Sequence, residues 1–136
     1  MKIFLCLAIA LNVLIQTGCR KDAQEIEFIS ISYPSGETDL RIWESGEARL
    51  YYGARPQSKN IRKRMFNIES LYEQLVPRLY PNVPRENWPN PNARYGMVQV
   101  QFKGEGAITY LIFHEEELTN ALFAKARRNI VGRNSL

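Results

Sequence analysis

Val98, Val100 and Phe102 lie on one side of a glycine-bearing stretch, and Ile108, Tyr110 and Ile112 lie on the other. In both sets the apolar residues recur every second position, which buries one face of a strand and cannot bury one face of a helix. Gly104, Glu105 and Gly106 read as a three-residue hairpin loop with glycine at the left-handed position, setting Phe102 against Ile108, Val100 against Tyr110 and Val98 against Ile112. The same argument applies upstream. A two-residue loop at Ser45-Gly46 would oppose Ile42 to Arg49 and mix the faces. A loop of Glu44, Ser45 and Gly46 opposes Ile42 to Ala48 and Leu40 to Leu50 instead.

An N-terminal strand precedes these hairpins, with Glu27, Ile29, Ile31 and Tyr33 on one side and Phe28, Ser30 and Ser32 on the other, ended by Pro34, Ser35 and Gly36. Between the hairpins, Asn67 is a good N-cap for a helix whose stripe is Ile68, Leu71, Tyr72, Leu75, Val76 and Leu79, with Pro77 kinking or shortening its last turn. A second helix is expected over about 115–130. Glu115, Glu116 and Glu117 favour its start, Arg127 and Arg128 its end, and Leu118, Ala121, Leu122, Ala126 and Ile130 form its buried face. The order strand, hairpin, helix, hairpin, helix describes one small α+β domain: an antiparallel sheet of two hairpins plus an N-terminal strand, with two helices packed on one face. A chain of 136 residues with 45% hydrophobic content and 15.8 kDa is large enough for one such core.

Before this domain, Lys2 is followed by an uncharged run from Ile3 to Ile15, interrupted only by Asn12. The run is short for a membrane span, which needs about 20 apolar residues, and has the length of a signal-peptide core. It leads into Thr17, Gly18 and Cys19, with Gln16 where an apolar residue would be usual. This end resembles the lipobox of bacterial lipoproteins. The resemblance implies a signal peptide over 1–18, lipidation (palmitate among the acyl groups) at Cys19, a tether over 19–24 and a domain over 25–136. Cleavage by the ordinary signal peptidase and an uncleaved anchor are the alternatives. Arg20 rather than Asp follows Cys19, which among sorted lipoproteins implies the outer membrane, facing the periplasm. Cys6 leaves with the signal peptide, so thiol catalysis, cysteine-rich zinc sites and an intramolecular disulfide are not expected.

Few side chains remain for catalysis. His114 is the single histidine, and no serine stands in a Gly-x-Ser-x-Gly elbow. His114 beside Glu115 and Glu116 does not have zinc-ligand spacing, no glycine-rich loop opens a helix, and neither a metal nor a cofactor is expected. Paired carboxylates leave a glycan-acting or peptidoglycan-acting enzyme as a third reading.

Two segments suggest binding. Residues 55–64 carry Arg55, Lys59, Arg62, Lys63 and Arg64, with no acid between Glu47 and Glu69. Such a field steers negatively charged partners, and export disfavours nucleic acid. Residues 81–94 hold Pro81, Pro84, Pro89 and Pro91 around Trp88, which is either a plug against the sheet or an exposed anchor. Address and architecture together resemble periplasmic immunity or inhibitor lipoproteins, which implies a protein partner such as a secreted toxin domain. An envelope or cell-wall-binding lipoprotein is the alternative. Cys19→Ala should abolish labelling by a palmitate analogue and release the protein from membranes. Membrane association without label in the wild type would contradict the lipoprotein reading.

Overall fold

The computed structural model describes residues 25–33, 38–53, 57–114 and 116–132. The expected signal peptide, the tether with Cys19, the turn at 34–36, Arg55 and Glu115 lie outside the described residues. The rest is an α+β domain. Seven strands, β1 (Ile26–Ser32), β2 (Thr38–Trp43), β3 (Ala48–Tyr52), β4 (Gln57–Ile61), β5 (Tyr80–Pro81), β6 (Tyr95–Phe102) and β7 (Ala107–Phe113), form one antiparallel sheet in the order β4-β3-β2-β1-β6-β7-β5. Two helices, α1 (Ile68–Leu75) and α2 (Glu117–Arg128), contribute Leu71, Leu75, Phe123 and Ala126 to the core lined by Ile29, Ile31, Leu40, Ile42, Leu50, Val98 and Val100. Among the described residues no helix is long and apolar enough to cross a membrane.

The first hairpin has the register that parity requires, with Ile42 opposite Ala48 and Leu40 opposite Leu50. Gly46 takes φ +83°, and its N–H donates to the Trp43 carbonyl at 3.0 Å. The second hairpin departs from expectation by two residues: Val98 faces Tyr110 and Val100 faces Ile108. A shift of two leaves every side chain on its own face, so the apolar pattern cannot distinguish the two registers. The loop is Lys103, Gly104 and Glu105, closed by the Glu105 N–H donating to the Phe102 carbonyl at 3.2 Å. Gly104, not Gly106, takes the left-handed conformation, at φ +74°. Lys103 also fixes this turn to the start of the domain. Its Nζ lies 2.8 Å from Glu25 and 2.9 Å from Glu44 of the other hairpin loop, and these hydrogen bonds raise its pKa while that to Lys103 lowers that of Glu25.

Three further elements differ from the sequence expectation. A bulge between Ile26 and Phe28 turns Ile26 into the core and leaves Glu27 exposed. In α1, Asn67 accepts from the Ser70 N–H at 2.9 Å as expected, and the chain tightens into a 3-10 turn (Val76–Arg78) at Pro77, which leaves Val76 47% exposed. In α2, Phe123 and Thr119 are buried while Ala121 is exposed, so the buried face is rotated from the expected stripe towards Phe123, which packs against Tyr33 at 4.4 Å.

The turn geometry predicts which glycines resist substitution. Gly46→Val and Gly104→Val should each cost on the order of 1 kcal/mol or more, because a β-branched residue is strained at positive φ. Gly46→Val also brings a Cβ to 3.3 Å from Arg64 Cγ. Gly106→Ala, with open space around its added carbon, should leave urea unfolding nearly unchanged. Equal loss at positions 104 and 106 would contradict the register.

Candidate functional site

The helices cover one side of the sheet. On the other side, the residues between the core positions of β1, β2 and β3 place Phe28, Ser30 and Ser32 beside Trp43, Arg41 and Asp39, followed by Arg49 and Tyr51. These side chains interlock. The Phe28 and Trp43 rings are 5.3 Å apart, the Arg41 guanidinium stands 4.3 Å from the Tyr51 ring centre, and that of Arg49 stands 5.8 Å from Trp43. Asp39 holds the centre by accepting from Ser30 Oγ at 2.6 Å, Ser32 Oγ at 3.2 Å and Arg41 Nε at 2.8 Å. Ser30 is buried, so its hydroxyl needs this partner. The hydrogen bond to Asp39 also raises the Arg41 pKa above its usual value. The result is a half-buried surface whose cations are oriented by rings and a carboxylate. Arginines stacked on aromatic faces in this way are worth about 0.5–1 kcal/mol each where exposed.

The basic segment borders the sheet at its β4 edge. Lys59 lies on β4, opposite the buried Leu50, with Nζ 5.5 Å from the Tyr52 ring, and so stands on the helix side of the sheet and not on this face. Arg62, Lys63 and Arg64 are exposed in the turn that follows, where the Arg64 N–H donates to the Gly46 carbonyl at 2.9 Å. A cleft of about 400 Å³ lined by Glu47, Arg49, Asn60, Arg62, Lys63 and Val131 connects them to the aromatic face. Among the described residues, this segment's ion pair is Lys63 with Glu47 at 3.9 Å, both well exposed, a geometry that contributes little.

Trp88 belongs to another part of the molecule. Its ring lies 4.8 Å from Tyr95, its Nε1–H donates to the Val83 carbonyl at 2.8 Å, and Arg85 stands 5.7 Å from its ring. Beneath it, Tyr95 stacks on Phe113 at 4.8 Å, Tyr80 meets Phe113 at 5.2 Å, and Leu111, on the same side by strand alternation, is buried. The proline-rich segment therefore plugs the β6-β7-β5 end of the sheet face. The basic segment and the Trp88 loop stand apart on the sheet, since β4 and the Tyr95 strand are separated by four strand spacings, roughly 19 Å.

His114 is half-buried, its ring edge-on to Tyr33 at 5.3 Å, and its backbone N–H donates to the Arg94 carbonyl. Among the described residues no group of three or more His, Cys, Asp or Glu could hold a metal ion. Arg41, Trp43, Arg49 and Tyr51 were passed over in the sequence because they stand between core positions, where polar residues are expected. The available signal was that Phe28, Trp43 and Tyr51 are too large and apolar for an ordinary solvent face. No protein-family model, curated protein or solved structure matches this chain.

The packing of Trp88 predicts a stability effect. Trp88→Ala should cost about 1–2 kcal/mol in urea unfolding, below the roughly 3–5 kcal/mol of a fully buried aromatic. Unchanged stability would mean that the loop does not rest on Tyr95.

Proposed function

We propose that the chain is an exported, membrane-tethered lipoprotein that binds a protein partner on the aromatic and arginine face of its sheet. The lipobox-like Thr17, Gly18 and Cys19 support the tether, and Arg20 after them supports the periplasmic side of the outer membrane as its address. The observation that carries the binding reading is the pairing of Arg41 with Tyr51 and Arg49 with Trp43 on a sheet face that the helices leave open. Tryptophan, tyrosine and arginine dominate the energetics of protein interfaces. Here their orientations are already set, so little side-chain entropy is lost on docking. Resemblance to immunity and inhibitor lipoproteins makes a toxin domain acting in the periplasm the best-supported partner. The basic segment beside the face supports an acidic binding surface on that toxin.

The test is protection of cells by the full chain against the exported product of an adjacent gene, with binding kinetics on the purified pair. Arg41→Glu with Arg49→Glu should slow association and flatten its salt dependence, because exposed charges act on encounter. Trp43→Ala should raise the dissociation rate by an amount equivalent to about 2 kcal/mol, the cost of losing an interface anchor. Protection and kinetics that survive all three changes would contradict this face as the site.

A further inference from the structure

The cleft of about 400 Å³ beside Arg49 is built from three separate parts of the chain. Arg49 on β3 stands opposite Asn60 on β4, the turn after β4 supplies Arg62 and Lys63, and Val131 closes the remaining side. Val131 is held there by its own N–H, which donates to the Asn60 carbonyl at 2.8 Å, while the Arg62 N–H donates to the Asn129 carbonyl at 2.8 Å. Although its backbone is fixed in this way, Val131 stays 54% exposed. Three cations line the cleft against one carboxylate, that of Glu47. Glu47 meets Lys63 only at 3.9 Å, with both side chains well exposed. Among the described residues neither Arg49 nor Arg62 has an ion pair, and Arg49 is steadied instead over the Trp43 ring at 5.8 Å. The cleft therefore offers two unclaimed guanidinium groups beside an exposed aliphatic wall.

From this juxtaposition we infer that the cleft receives one acidic side chain of the protein partner, with an aliphatic neighbour of that residue resting on Val131. A guanidinium fork matches the two oxygens of a carboxylate, which a lysine ammonium meets only as a point charge. Arg49 and Arg62 are therefore the groups that bind it, and Lys63 adds to the field. An aliphatic group laid over Val131 excludes water from the pair, and attraction between charges rises as the effective dielectric falls. A phosphoryl group is the competing occupant, and the Glu47 carboxylate in the lining repels its second negative charge. This inference rests on the protein-binding reading and deepens it by naming the partner residue that the basic segment selects. Arg49 joins the two surfaces, since it lines the cleft and also stands over Trp43.

The test uses the full chain in detergent and the capped tripeptide acetyl-leucyl-glutamyl-leucinamide, followed by NMR at the Arg49 and Arg62 side-chain N–H groups and the Val131 methyl groups. Controls are the same tripeptide with glutamine at its centre, the glycyl-glutamyl-glycinamide analogue and inorganic phosphate. The leucine–glutamate peptide should shift all three sets of signals and bind about tenfold more tightly than its glutamine counterpart, the scale of a hydrogen bond to a charged group. The glycine analogue should bind more weakly and leave the Val131 signals in place. Arg62→Gln should reduce binding about tenfold, and Val131→Ser should weaken it while keeping the preference for glutamate. Both changes are at exposed side chains and leave the backbone bonds in place, and urea unfolding checks that each variant is folded. Equal binding of the glutamate and glutamine peptides, shifts that avoid these three residues, or tighter binding of phosphate than of the peptide would each overturn the inference. With the proposed toxin, Arg62→Gln should raise the dissociation rate about tenfold. If that rate is unchanged in Arg62→Gln and raised in Trp43→Ala, the sheet-face reading stands and the cleft inference fails. The reverse pattern would place the partner in the cleft and not over the face.

Discussion

The structure depends on the two-sided pairing of β1. Ile29 stands between Ile42 on β2 and Val100 on β6, and Ile31 stands between Leu40 and Val98. All six are fully buried. Each contributes roughly 1.5–3 kcal/mol by leaving water, and together they join the β4-β3-β2 half of the sheet to the β6-β7-β5 half. Because strand side chains alternate, this central row also commits Phe28, Ser30 and Ser32 to the opposite face. The helices can then cover only the apolar side, and the other side must be managed by different means.

It is managed in two ways along the sheet. At the β6-β7-β5 end, Trp88 and its proline-rich segment cover Tyr95, Phe113 and Leu111, forming a small second core. At the β1-β2-β3 end, rings and guanidinium groups cover one another, with Asp39 satisfying the buried Ser30 and orienting Arg41. The first arrangement consumes its aromatic residues in packing. The second keeps Arg49 exposed and Trp43 and Tyr51 half-buried, which is why the proposed interface lies there.

Much of the fold was legible in the sequence, for identifiable reasons. The first hairpin, the Asn67 cap and the shortening at Pro77 follow from local chemistry. The second hairpin was placed on the correct faces and two residues out of register, because alternation carries no information about even shifts. Strand β4 was missed because Gln57, Ser58, Lys59 and Asn60 are all exposed and show no apolar alternation. Its pairing is imposed by β3, so Lys59 stands on an edge strand, while Arg62, Lys63 and Arg64 stand in the turn that follows it. The site was less legible than the fold. Composition pointed to cations and to Trp88, whereas Arg41 and Arg49 acquire their setting only when β1, β2 and β3 lie side by side.

The most direct measurement of the central proposal is hydroxyl-radical footprinting of the chain in intact cells that also produce the proposed toxin, against the purified chain. Trp43 and Tyr51 should be oxidised in the purified protein and protected in the cell, while Met97, an exposed residue on β6, serves to locate the boundary of the covered area. Equal oxidation of Trp43 and Tyr51 in both settings would contradict a partner held on this face.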